Sequence, residues 1–101
     1  MNDKRTLENL RNELEGHIYL RFHSKEDYMD CLARAEREGF RFGEYQPTEY
    51  ISEWRDMLAL CEDKQLCFCN TFSRMAYACN QSNVHRIDYA KYTGSEEDYI
   101  I

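Results

Sequence analysis

The stretch HIYLRFHSKEDYMDCLARAEREGF, His17–Phe40, joins two periodicities without a break. Its first seven residues alternate, with Ile18, Leu20 and Phe22 on one side and Tyr19, Arg21 and His23 on the other, the pattern of a half-buried strand. From Ser24 the apolar spacing lengthens. Ser24 is a good N-cap with Asp27 three residues on, a capping box with a shorter acid. Tyr28, Cys31, Leu32 and Ala35 then fall on one helical stripe, and Gly39 stands where a left-handed terminator belongs. A strand followed by a capped, one-sided helix calls for a sheet with helices laid on it.

Working outward, Asp3 to Leu14 reads as a helix with a thin stripe of Leu7, Leu10 and Leu14, stopped at Gly16. Downstream, FRFGEY (Phe40–Tyr45) reads as a short strand. QPTEY is a loop, because Pro47 lacks an amide donor and biases Gln46 away from helix. DMLALCEDKQLCFC is a hairpin: Leu58 and Leu60 alternate on one arm, Leu66 and Phe68 on the other, with EDKQ at the turn. Thr71 to Asn80 reads as a short helix and Val84 to Tyr92 as the last strand, with Ile87 and Tyr89 facing the core. The expected fold is α+β, a mostly antiparallel sheet of about five strands with two or three helices mainly on one face. It forms one domain over 1–101, ending in a flexible acidic tail at about 93–101.

Composition narrows function by exclusion. Hydrophobic residues make up 43% and aromatics 14%, enough for a core and too many for a disordered chain. The net charge of −6 lacks the concentrated basic face that phosphate contacts need, so direct nucleic-acid binding is not expected. No stretch approaches the ~20 apolar residues of a membrane span. The opening MNDKRTLENL has no apolar core for a signal peptide, and the five cysteines are odd in number; a cytosolic protein with reduced thiols is expected.

The chemistry-bearing residues do not assemble into a catalytic motif, and an enzyme is not expected. Cys67 and Cys69 sit two apart on one strand face, with Cys61 on the paired arm. Structural zinc prefers four ligands on tight turns, so these cysteines read as small packed side chains rather than a metal site. There is no nucleophile elbow and no glycine-rich phosphate loop, and His17, His23 and His85 are scattered. No cofactor or metal is called for.

What remains is an aromatic and arginine-rich surface: Tyr19, Arg21, Arg41, Tyr45, Tyr50, Trp54, Arg74 and Arg86. Nine of the 13 basic residues are Arg, and Tyr, Trp and Arg are the types that anchor interfaces. These eight are the candidate binding residues. A homodimer is one way to bury such a surface.

AEREGFRFGEYQPTEY, LALCEDKQLCFC and RIDYAKYTGSEEDY together resemble small accessory proteins carried by phages and prophages of gut Firmicutes. The shared features are the strand–helix–EGFRF opening, the Pro-containing loop, the DK hairpin and the closing RIDY.KY. The likeness spans roughly four fifths of the chain, and its motifs belong to the fold rather than to catalysis. It implies a non-enzymatic antagonist of bacterial defence that binds and inhibits a host defence protein. The alternative is an oligomeric sponge for a nucleotide signal, in which arginines grip phosphates and a Tyr or Trp54 stacks on the base.

Overall fold

A computed structural model describes residues 5–69, 75 and 84–101. Among these, three α-helices and one four-stranded mixed sheet give the α+β class. Helix α1 spans Leu7–Glu13, strand β1 His17–Arg21 and helix α2 Lys25–Arg37. A 3-10 turn at Pro47–Tyr50 precedes β2 (Met57–Cys61) and β3 (Gln65–Phe68). Strand β4 (Val84–Asp88) leads directly into α3 (Tyr89–Thr93). Of the expected helix Thr71–Asn80 the structure describes Met75 alone, helical and 58% exposed; the rest, Arg74 included, lies outside the described residues.

The sheet order is β3-β2-β1-β4. Strand β1 pairs antiparallel with β2 (Leu20 opposite Leu58) and parallel with β4 (Leu20 opposite Ile87). Leu20, Leu58 and Ile87 are fully buried and share one core with Leu7 and Leu10 of α1, Tyr28 to Ala35 of α2, and Tyr89 and Tyr92 of α3. All three helices therefore cover the same face. The thin stripe of α1 is more central than its length suggests, and Glu38 explains why. Its carboxylate accepts from the Leu7 and Glu8 amides at 3.0 and 2.9 Å, capping α1 from the end of α2. Thr6 Oγ1 accepts from the Asn9 amide and caps the helix at Leu7; Asp3 and Lys4 of the expected helix lie outside the described residues.

The strand–helix unit follows its sequence signals. Ser24 Oγ accepts from the Asp27 amide, Tyr28, Cys31, Leu32 and Ala35 are buried, and Gly39 has φ +87°. The hairpin pairs Leu58 with Phe68 and Leu60 with Leu66.

Two expected strands change. FRFGEY does not extend as a strand, so the sheet has four strands rather than five. Gly43, at φ +61°, turns the backbone so that Phe42 and Tyr45 exchange hydrogen bonds with each other. Arg41 is the residue of this stretch whose backbone bridges to the sheet, at Gln65 on the β3 edge. The last strand stops at Asp88 instead of Tyr92, because the Asp88 carboxylate accepts from the Lys91 amide at 3.2 Å and caps α3. Of residues 93–101, expected as a flexible tail, Thr93 ends α3 and residues 99–101 lie beside β4. The Asp88 amide donates to Tyr99 O and the Ile101 amide to Arg86 O. Both outer strands of the sheet thus have part of their edge occupied. Among the described residues no helix is long and apolar enough to cross a membrane.

Asp88 is 7% exposed and also meets His23 Nε2 at 2.8 Å. Burial pushes its carboxyl up, but the hydrogen bonds from His23 and from the Lys91 amide outweigh that and hold it below its ordinary 3.8. A carboxyl depressed by folding stabilises above its unfolded pKa and loses that contribution as pH falls through the folded one. Asp88→Ala should therefore cost about 1–2 kcal/mol at neutral pH, chiefly from the lost helix cap. The deficit against wild type should shrink below about pH 4, where the wild-type carboxyl protonates. Urea unfolding across pH checks both; a deficit constant with pH would refute the assignment.

Candidate functional site

Residues 40–56 contain one turn of 3-10 helix and otherwise irregular backbone, yet this segment is held at many points. Tyr28, fully buried on α2, donates its hydroxyl to Tyr50 O at 2.8 Å. Burial pushes that phenol up to about 12, so it stays a donor throughout the physiological range. Thr48 donates its hydroxyl to Glu36 at 2.6 Å, and the Gln46 amide donates to the Glu49 carboxylate at 2.7 Å. Pro47 is buried.

Rings continue the same anchoring. Phe42 stacks on Phe68 at 4.7 Å between centroids, Tyr50 meets both edge-on, and Tyr45 stands against Tyr50 at 6.1 Å. Trp54 packs edge-on against Tyr28 at 5.6 Å, and Tyr28 in turn meets Phe22. The outer members of these two ring chains face water: Tyr45 is 55% exposed and Trp54 40%, with Ile51 at 37%. A rim of large apolar groups, fixed from behind by the core, is the feature that distinguishes this surface. Its charges are Glu44, Glu49, Glu53 and Asp56 against Arg41 and Arg55. Arg55 lies 5.0 Å over the Phe68 ring and 3.6 Å from Glu53.

The eight candidates divide. Tyr45 and Tyr50 are in ring contact, Trp54 is linked to them through Tyr28, which packs on its ring and bonds Tyr50 O, and Tyr50 is half-buried while Arg41 is exposed. Tyr19 does not belong to an open face. It is 5% exposed, because the second side of the sheet carries its own apolar cluster with Met57 and Val84. Arg86 lies next to Tyr19 across the parallel pair and is half-buried, its guanidinium donating to Ile101 O at 3.4 Å. Arg21 bonds Asp56 at 2.9 Å, tying β1 to the end of the irregular segment.

Ile51 and Arg55 were absent from the candidates. Ile51 follows the 3-10 turn, a position with no periodic pattern to mark it. The His23–Asp88 pair was missed as well, because the two are 65 residues apart and meet only where β1 and β4 lie parallel. It has the geometry of a base and its orienting acid, but both groups are used in closing the fold at the α3 cap. Among the described residues no cluster of three or more metal-ligating side chains is present.

Tyr28→Phe removes one hydroxyl and leaves the ring packing. It should cost about 1 kcal/mol and loosen the segment behind Trp54. Trp54 is the sole tryptophan, so its fluorescence anisotropy decay reads this directly: faster local motion is expected, and an unchanged decay would mean that Tyr50 O is not the anchor.

Comparison with protein-family models, with curated proteins and with solved structures finds no match. Function is therefore inferred from the chemistry of this surface.

Proposed function

We propose that this is a non-enzymatic phage accessory protein that antagonises bacterial defence by binding and inhibiting a host defence protein through the Tyr45–Ile51–Trp54 rim. The phage and anti-defence context is what the sequence resemblance implies; one observation supports the binding role, two exposed aromatic side chains packed against a segment that has little regular structure of its own. Ordering loops and side chains on association costs binding free energy, about 0.5–1.5 kcal/mol for each mobile side chain. A rim already fixed by Tyr28, Phe42, Phe68 and Glu36 avoids much of that cost. Tyr and Trp combine wide apolar contact with a polar tip, which suits them to anchoring such a contact.

The surround, four carboxylates against Arg41, Arg55 and the Arg21 that pairs with Asp56, stays net acidic and favours a partner face with basic residues, since complementary charge speeds encounter and fixes orientation. A stable inhibitory contact needs ~800 Å² per partner, within reach of one face of this domain. The nucleotide-sponge alternative draws less support. Its phosphate grip needs convergent guanidiniums, whereas Arg21 is bound to Asp56 and Arg86 to the carbonyl of Ile101.

Affinity capture from host lysate tests the reading. The wild-type chain should retain a protein in near-stoichiometric amount. Tyr45→Ala and Trp54→Ala should each weaken that complex by about 2 kcal/mol or more while remaining folded, as anchor truncations do. Arg37→Ala, on the exposed side of α2, should leave it unchanged. No retained protein, or a retained nucleotide in an oligomer, would overturn the proposal.

A further inference from the structure

The β2–β3 hairpin carries a second chemical feature away from the aromatic rim. Cys61 and Cys67 lie on the same side of the sheet, on neighbouring strands, and the Cys61 thiol donates to Cys67 Sγ at 2.9 Å. Cys61 is half-buried and lines a cleft of about 330 Å³ together with Arg11, His17, Tyr19 and Ala59. Cys67 is exposed, and both thiols are free. The register pairs Cys61 with Gln65 and Ala59 with Cys67, so the two cysteines are diagonal neighbours rather than directly opposite.

We propose that Cys61 and Cys67 are a reversible redox pair, converted by a peroxide into a disulfide that links β2 to β3. The exposed Cys67, as its thiolate, attacks one peroxide oxygen. The O–O bond breaks, a sulfur–oxygen bond forms, and Cys67 becomes a sulfenic acid as one oxygen leaves as water. The Cys61 sulfur then attacks the Cys67 sulfur, its thiol proton leaving with the sulfenic hydroxyl as a second water. Two thiols lose two protons and two electrons in all, and one peroxide takes them up as it becomes two waters, the proton given up by Cys67 going to the first.

The division of labour follows from the surroundings. Burial, and then the hydrogen bond to Cys67, push the Cys61 thiol up to about 12. That makes it the poorer first nucleophile of the two, and its part is to meet the sulfenic sulfur that forms beside it, 2.9 Å from its own in the reduced pair. Cys67 has the access that Cys61 lacks. The diagonal register also bears on reversal. Diagonal Cα atoms in an antiparallel pair are ~7–8 Å apart, whereas an unstrained disulfide spans about 4.4–6.8 Å. Closing the bond must draw the strands together, and strained, exposed disulfides are the easily reduced ones. The bond is thus a switch rather than a permanent staple.

The test uses the full reduced chain, treated with stoichiometric hydrogen peroxide and digested with trypsin without reductant. Cleavage after Lys64 separates Cys61 from Cys67 and Cys69. The expected product is one intramolecular link between peptides 56–64 and 65–74, lighter by two hydrogens and reversed by dithiothreitol. Fragmentation of the linked peptides should place the bond at Cys67. Cys69→Ser should preserve the link and Cys67→Ser should abolish it. Cys61→Ser should stop at a Cys67 sulfenic acid trapped by dimedone. A link through Cys69, a disulfide between chains, or direct passage of wild-type Cys67 to sulfinic acid would each overturn the proposal. Partner capture plays no part in these readouts.

Discussion

The two-sided pairing of β1 places everything else. Its antiparallel contact with β2 sets the hairpin against the core, and its parallel contact with β4 brings a segment more than 60 residues distant alongside. Parallel neighbours cannot be joined by a tight turn, so the chain between them must travel over the surface. Helix α2 buries its stripe on this route, and the irregular 40–56 segment crosses back from it to β2. The chain ends of the sheet are settled by the same frame. Arg41 bridges to the β3 edge, and residues 99–101 lie beside β4. Exposed edge amides invite uncontrolled pairing, and here short unrelated segments occupy part of each edge. Augmentation of the sheet by a partner strand is therefore a poor use of this fold; its aromatic rim is a better one.

That rim depends on a single buried tyrosine more than on local propensity. Tyr28 belongs to the core through Phe22, to the loop backbone through Tyr50 O, and to the surface through the edge of Trp54. Core packing is thereby passed outward to groups that contact solvent. An exposed aromatic on a mobile loop must be ordered at the moment of binding; one supported in this way has been ordered by folding.

How much of this was readable beforehand depends on how local the determinants are. Ser24, the Tyr28–Ala35 stripe and Gly39 specify α2 within sixteen residues, and the hairpin arms alternate plainly, so both emerged correctly. Tyr19 did not, because alternation says which residues share a face and not whether that face is covered. Phe40–Tyr45 misled for a related reason. Its aromatic alternation fits a strand, but Gly43 takes a positive φ and folds Phe42 back onto Tyr45. The strand expected over Val84–Tyr92 was too long because Ile87 and Tyr89 alternate across Asp88, and alternation does not reveal that the Asp88 carboxylate caps a helix there. Of the candidate site, residue type identified Tyr45, Tyr50 and Trp54. Their convergence was not legible, since it depends on Tyr28 and Phe68 from two other elements.

The central claim is that the 40–56 segment is ordered in the free protein, and hydrogen–deuterium exchange tests it most directly. The amides of Phe42, Tyr45 and Glu53 donate to Tyr45 O, Phe42 O and Tyr50 O within the segment. They should exchange at least ~100-fold more slowly than in an unstructured peptide, as amides that need cooperative opening do. Exchange at the unprotected rate, with the β1–β2 ladder still protected, would show a loose loop on a stable sheet and contradict the account.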